Sequence, residues 1–215
     1  MKAKEIYDIL RQGGLSRAGA LGMLGNMQAE SSLIPNIVQR GMTNATDVVY
    51  TAEVDDGTRN FEDSVGYGLC QWTFFSRKRF LLKFAKENGC SVGDGAMQVN
   101  FCLTELQTNY PKLYMFLCSS DDVDACADKI CTDYECPAVN NFLTRRSFAH
   151  KFASEIKEET VKPKDPVKAT FPPDASVLIL QMVMKYNGYW EDVTGYKSAE
   201  FYKKLEEFIA DMKKS

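Results

Sequence analysis

Apolar side chains recur at helical spacing through most of the first 157 residues, so that they share one face of each predicted helix. Capping residues, glycines and prolines stand between these stretches, as they do between helices. The pattern predicts helices at about 2–11, 17–30, 44–55, 77–88, 95–109, 113–117, 121–134 and 142–156. The expected N-caps are Ser16, Ser76, Asp94 and either Asn140 or Asn141.

The second predicted helix carries glycine at three positions on one side, Gly19, Gly22 and Gly25. Each glycine inside a helix costs about 1 kcal/mol relative to alanine. Three of them at a spacing of three therefore predict that another element packs very close to this side. Pro35 cannot continue the helix, so we expect it to end between residues 30 and 34.

Glu30 lies at the C-terminal end of this helix, on one line with Gly22 and Asn26. The negative end of the helix dipole disfavours a charged carboxylate there, which suits a general acid. The alternative is a glutamate that simply faces solvent at a helix end.

A polar stretch at 58–65 leads into a segment that contains Gly66 and Gly68. Glycine is poor inside helices and strands, and useful where the backbone approaches a ligand or turns sharply. We therefore expect any small β element to lie in this irregular region, at about 56–72.

The composition changes after residue 157. The segment 158–173 holds four of the seven prolines, which predicts a stiffened linker. Apolar residues return at helical spacing in 174–215. The predicted fold is thus mainly α: one helical domain at 1–157 with the small irregular or β region, a linker at 158–173, and a small helical module at 174–215.

Composition and charge exclude several classes of function. The net charge is −3 and the isoelectric point about 5.4, which argues against a nucleic-acid-binding protein. A single histidine, His150, rules out a His triad or a multi-His metal site. The seven cysteines show no zinc spacing, and we interpret them as reduced thiols. No apolar run is long enough to span a membrane, so no membrane partner is expected.

Three motifs occur in order along the first domain. The first is Gly-Asn-Met-Gln-Ala-Glu-Ser at 25–31, and the second is Asp-Ser-Val-Gly-Tyr-Gly-Leu-Cys-Gln-Trp-Thr at 63–73. The third is Tyr-Glu-Cys-Pro at 134–137. Together they resemble the phage tail lysozymes, a family of the lysozyme superfamily that shares motifs with goose-type lysozymes and lytic transglycosylases. The resemblance covers about residues 5–155.

This resemblance implies a lysozyme-like α+β fold and an enzyme that cleaves peptidoglycan. The expected activity is that of an N-acetylmuramidase, which cleaves the β-1,4 bond between N-acetylmuramic acid and N-acetylglucosamine. Glu30 would be the general acid, and the resemblance favours Asp63 as the second carboxylate over the nearby alternatives Glu62, Asp56 and Asp55. Goose-type enzymes have a further acid two positions after the glutamine, where this chain has Thr73, which can orient a water.

Several residues are expected to bind the substrate. Gln71 can bond an N-acetyl group or a water, and Asn26 lies one turn before Glu30. Tyr67, Trp72 and Tyr134 offer flat faces for sugar rings, with packing in the core as the alternative. Glu135 is either a third acid or a carboxylate that bonds backbone amides at a helix end.

The resemblance also sets expectations about partners and origin. The partner is bacterial peptidoglycan, no cofactor is needed, and the protein works as a monomer or in a phage tail assembly. The N-terminus lacks the apolar run of a secretory signal, so we expect synthesis in the host cytoplasm and access to the wall through a holin or as part of the virion. Segments of the 174–215 module resemble three-helix peptidoglycan-binding modules, with a structural helical pair as the alternative.

Two other functions fit the same motifs. A lytic transglycosylase needs only Glu30 and gives 1,6-anhydro products. A non-catalytic wall-binding or tail structural protein needs no acid at all.

Overall fold

The computed structural model describes residues 1–157, which form one compact unit. The predicted linker at 158–173 and the predicted module at 174–215 lie outside the described residues. The helices are α1 (Ala3–Gln12), α2 (Arg17–Ser31), α3 (Asp47–Asp55), α4 (Phe75–Glu87), α5 (Gly95–Asn109), α6 (Pro111–Ser119), α7 (Val123–Ile130) and α8 (Phe142–Glu155). A π-helical turn at Cys131–Glu135 follows α7 directly. None of the helices within 1–157 is both long enough and apolar enough to cross a bilayer.

The mainly helical fold class is confirmed. Within the described residues the β structure is limited to isolated antiparallel bridges, Val38 to Tyr67 and Tyr67 to Trp72. Tyr67 and Trp72 exchange two backbone hydrogen bonds of 3.2 and 2.9 Å, which close a tight loop. Gly68 and Gln71 inside this loop both have positive φ, so the chain turns back before a strand can form.

Helix α2 lies at the centre of the domain and packs against α1, α6, α7 and α8. A Cβ atom placed on Gly19 would meet the carbonyl oxygen of Leu117 in α6. One on Gly22 would lie 2.9 Å from the backbone nitrogen of Ala127 in α7. One on Gly25 would meet α8. The predicted close packing on the glycine side is therefore confirmed, and three helices share it.

Several predicted helix starts are confirmed by cap hydrogen bonds. The side chains of Ser16, Asp94 and Asn141 accept a hydrogen bond from a backbone amide in the first turn of α2, α5 and α8. The prediction for Ser76 is wrong, because α4 begins one residue before it at Phe75. The short turn predicted at 113–117 is a full helix, since Pro111 stands at its first position with φ already preset.

The helix predicted at 121–134 changes character near its end. It begins at Val123 and keeps α geometry to Ile130, and the following turn is π-helical, closed by a 2.9 Å hydrogen bond from the Cys136 amide to the Cys131 carbonyl. Wide turns of this kind are rare and occur frequently at functional sites. This one ends on Tyr134 and Glu135, the third sequence motif.

The close packing of α2 predicts the effect of Gly25→Ala. In an open helix this change stabilises by about 1 kcal/mol. Here the new methyl group meets the Arg145 carbonyl and lies 3.0 Å from Ala149, both in α8. We expect a loss of about 1–3 kcal/mol in the free energy of unfolding, measured by urea denaturation. A variant as stable as the parent would contradict this packing.

Candidate active site

A cleft of about 840 Å³ opens beside the C-terminal end of α2. Its walls come from the loop before α4 and from the π-helical turn. Six of the predicted site residues line it: Glu30, Asp63, Gln71, Thr73, Tyr134 and Glu135. Asn26, Tyr67 and Trp72 do not. The structure therefore brings the three sequence motifs to one place, although more than 100 residues separate the first from the last.

Glu30 projects into the cleft from the last turn of α2, and its side chain is 19% exposed. Arg145 of α8 donates a 2.5 Å hydrogen bond to its Oε1. The other terminal nitrogen of Arg145 donates to Oδ1 of Asn26 at 2.8 Å. Asn26 is fully buried, and its amide nitrogen donates to the carbonyls of Gly22 and Ala127. Asn26 thus positions Arg145 and does not line the cleft, which does not fit its predicted role in binding substrate.

Asp63 borders the cleft, but both of its carboxylate oxygens are engaged. Tyr50 donates a 2.8 Å hydrogen bond to Oδ2. Oδ1 accepts from the Val65 amide and forms an ion pair with Lys78. Lys78 is completely buried, and this burial lowers its pKa despite the nearby carboxylate. The contacts of Asp63 are those of a structural carboxylate that anchors the loop to α4.

Thr73 and Gln71 face the cleft together over Gly66. A side chain at Gly66 would come within 3.0 Å of the Gln71 Oε1 and 3.3 Å of the Thr73 Oγ1, so only glycine leaves both groups in place. The Thr73 hydroxyl is exposed and donates to the Gln71 carbonyl at 2.9 Å. Its lone pairs and the Gln71 Oε1 can accept hydrogen bonds from a water or an N-acetyl group.

The predicted aromatic platforms are mostly buried. Tyr67 and Trp72 are 0% exposed, and Tyr134 is 1% exposed. The Trp72 indole and the Tyr134 hydroxyl both donate to the Glu105 carboxylate, at 2.8 and 2.7 Å. Neither Tyr67 nor Trp72 offers a free face to a sugar, which corrects the expectation from sequence. Both residues pack in the core, which was the alternative interpretation.

Glu135 has an unusual environment at the end of the π-helical turn. Its Oε1 is buried and has no hydrogen-bond partner within residues 1–157. This does not fit the alternative interpretation, a carboxylate that bonds backbone amides at a helix end. Burial raises the pKa of Glu135 to about 8, and the negative charge of Glu30 adds to this. The positive charges of Arg77 and Arg145 act in the opposite direction. Glu135 therefore favours the protonated form more than an ordinary glutamate does.

Comparison with known proteins assigns the cleft to a class of enzyme. The family model of phage tail lysozymes matches residues 1–156, which is most of the chain and all three motifs. The chain belongs to the phage tail lysozyme family. A search of curated proteins finds no match. Membership makes this a peptidoglycan-lytic enzyme, and the cleft beside Glu30 is the candidate site of that activity.

A phage tail lysozyme needs surfaces for sugar rings, and sequence reasoning missed the aromatics best placed to supply them. Phe74 and Phe75 line the cleft directly after Thr73 and are 63% and 48% exposed. Their ring centroids lie 5.1 Å apart. Two adjacent phenylalanines between the second motif and a predicted helix were the available signal. Arg145 was also missed, because only the fold brings it to Glu30.

The contacts of Asp63 predict a structural effect for Asp63→Asn. The change leaves the Lys78 ammonium buried without its counter-charge, and breaking such a pair costs about 3 kcal/mol or more. We expect a matching loss in the free energy of unfolding, measured by urea denaturation at pH 7. Glu62→Gln, which breaks the exposed pair with Arg79, is the control and should cost less than about 1 kcal/mol. Unchanged stability with lost turnover would instead make Asp63 a catalytic base.

Proposed function

We propose that the protein is an N-acetylmuramidase that hydrolyses the bond between N-acetylmuramic acid and N-acetylglucosamine, with Glu30 as the general acid. The observation that carries this proposal is the position of Glu30. It stands at the end of a helix, fixed by Arg145, and opens into a cleft whose lining also includes Gln71 and Thr73. Glycosidic cleavage needs a proton donor at the leaving oxygen and a second group that directs the nucleophile.

Thr73 and Gln71 supply the second role in this proposal. Their oxygens lie together over Gly66 and can hold one water by accepting its hydrogen bonds. The water attacks the anomeric carbon from the face opposite Glu30, which inverts the configuration. Asp63 is not needed as a base, because Tyr50 and Lys78 already occupy its oxygens.

The engagement of Asp63 also favours a second candidate, a lytic transglycosylase. Thr73 is too weak a base to deprotonate water, and the two carboxylates of the loop before it are paired, Asp63 with Lys78 and Glu62 with Arg79. In a transglycosylase the C6 hydroxyl of the muramic acid attacks, and the acid alone is sufficient. The two reactions share Glu30 and differ in their products.

The biological setting follows from the same proposal. The protein cuts the wall either after release through a holin or as part of the tail during entry. Residues 174–215 would then hold the glycan or the tail. A non-catalytic wall-binding protein is the outcome if Glu30 proves dispensable.

Glu30→Gln tests the acid. The variant keeps the shape of the side chain but has no proton to give, so clearing of Gram-positive cells in a turbidity assay should fall at least about 100-fold. Glu87→Gln is the matched control, since Glu87 ends α4 in the same way but is exposed and lies outside the cleft. Equal clearing by the parent and Glu30→Gln would overturn the proposal. Mass spectrometry of the products separates the two reactions, because 1,6-anhydro ends identify a transglycosylase.

Phe74→Ala and Phe75→Ala together test the sugar surface. Each ring contributes about 0.5–1.5 kcal/mol of stacking, so the double variant should raise KM about tenfold with little change in kcat. Phe80→Ala is the matched control, because Phe80 is 57% exposed on α4 and does not line the cleft. An equal change in KM for the control and the double variant would remove the two rings from the site.

A further inference from the structure

Glu30, Arg77 and Glu135 line the cleft, and Glu105 and Arg145 each pair with one of them. Arg77 is committed to Glu105, with hydrogen bonds of 2.8 and 2.9 Å to its two oxygens. Arg145 is committed to Glu30 at 2.5 Å. Glu135 is the third carboxyl group and has no cation of its own in the described part of the chain. If all five groups were ionised, the cluster would hold one negative charge in excess.

The position of Glu135 makes a negative charge there costly. Its Oε1 is buried and unpartnered, so a negative charge on that oxygen has neither water nor a hydrogen-bond donor to stabilise it. A protonated carboxyl group avoids that cost. Glu135 also lines the same cleft as Glu30, so a proton held there lies within the site.

Glu30 has the opposite environment. Its ion pair with Arg145 is a contact of the carboxylate form. A general acid must nevertheless have a proton to give at the moment of bond cleavage. The ion pair and the acid role are compatible if a neighbouring group holds the proton in the resting enzyme.

We propose that Glu135 is the proton store of the site, carrying in the resting enzyme the proton that Glu30 delivers to the leaving oxygen. This inference rests on the proposed role of Glu30. It adds Glu135 as a positioning residue that acts through Glu30, and it explains why an acid stands at the end of the π-helical turn.

The charged groups that act on Glu135 come from four helices: Glu30 from α2, Arg77 from α4, Glu105 from α5 and Arg145 from α8. Burial is the main cause that raises its pKa to about 8, and Glu30 and Glu105 add to it, while Arg77 and Arg145 oppose it. Burial raises the pKa of four further neighbours, Cys70, Cys131, Tyr110 and Tyr134, while Asp133 in the same turn is paired with Lys129. Burial and the negative charge of Glu30 thus both favour a proton on Glu135.

The protons balance over one turnover. Glu135 gives its proton to Glu30 as Glu30 protonates the glycosidic oxygen, and the C–O bond breaks with its electron pair on that oxygen. Water adds to the anomeric carbon and releases one proton to solvent. The pair then takes one proton back from solvent on Glu135. Glu30 thus begins and ends the cycle as a carboxylate paired with Arg145.

Infrared spectroscopy tests the store without any activity. Ordinary carboxyl groups are ionised at pH 7, so a carbonyl band of a protonated carboxyl group at that pH reports a buried acid. We expect the band in the parent, lost with a midpoint near pH 8, absent in Glu135→Gln and retained in Asp133→Asn. Asp133 is the matched control, since it lies in the same turn but is exposed and paired with Lys129. A parent without the band at pH 7, or a band that persists in Glu135→Gln, would overturn the proposal.

Glu30→Gln supplies a second variant for the same measurement. It removes the negative charge that adds to the pKa of Glu135, so the midpoint of the band should move to lower pH. An unmoved midpoint would show that the two carboxyl groups do not share a proton. This result is independent of whether Glu30→Gln still lyses cells, so failure of the store and failure of the acid role are distinguishable.

The pH profile of catalysis completes the test. In the parent, kcat/KM should fall as pH rises through about 8, because the store is then empty. Glu135→Gln should lower kcat at least about tenfold with little change in KM, and its profile should lack this limb at pH 8. A merely structural role for Glu135 would leave the limb where it is in the parent.

Discussion

The close approach of α2 to α8 at Gly25 sets the distance between Arg145 and Glu30, on which the candidate site depends. With no side chain between the two backbones, Arg145 lies near enough to reach both Asn26 and Glu30 from the facing helix. The same glycine side brings α6 and α7 against α2, and Ser16 adds a hydrogen bond from its hydroxyl to the Ser120 carbonyl. Interiors packed at this density do not yield by a methyl group without shifting the neighbours. The position of the acid is therefore set by backbone packing.

A second constraint is that buried charges near the cleft must be paired. Glu105 accepts from Trp72, Tyr134 and Arg77 at once, which makes it a satisfied buried carboxylate. Lys78 and Asp63 neutralise one another in a second buried pair. Buried charges are tolerated where they are paired and hydrogen-bonded. Glu135 lacks both within the described residues, and this contrast with Glu105 distinguishes a group that can do chemistry from one that supports the fold.

Much of the helical framework could be predicted from the sequence, because caps, glycines and prolines act locally. Ser16 and Asp94 each accept a hydrogen bond from the amide three residues later. The glycines of α2 indicate that another element packs close by, but they do not identify it. The identity of partners is not local. Arg145 lies 115 residues from Glu30, and nothing in either segment indicates their contact. Trp72 and Tyr67 were misplaced for the same reason, since an aromatic residue in a glycine-rich motif fits a core as well as a cleft. The order of the three motifs indicated the acid, but only the fold shows which nearby side chains are not already hydrogen-bonded to other groups.

The π-helical turn at Cys131–Glu135 lets the two ends of one helical segment face different directions. Helix α7 must keep Cys126 and Ala127 against Gly22, while Tyr134 and Glu135 must face the cleft. An α-helix advances by about 100° per residue, so continuing α7 unchanged would tie both directions together. The wider turn accommodates one extra residue and releases that coupling. The width of this one turn thus sets the direction of Tyr134 and Glu135 separately from the contact between α7 and Gly22.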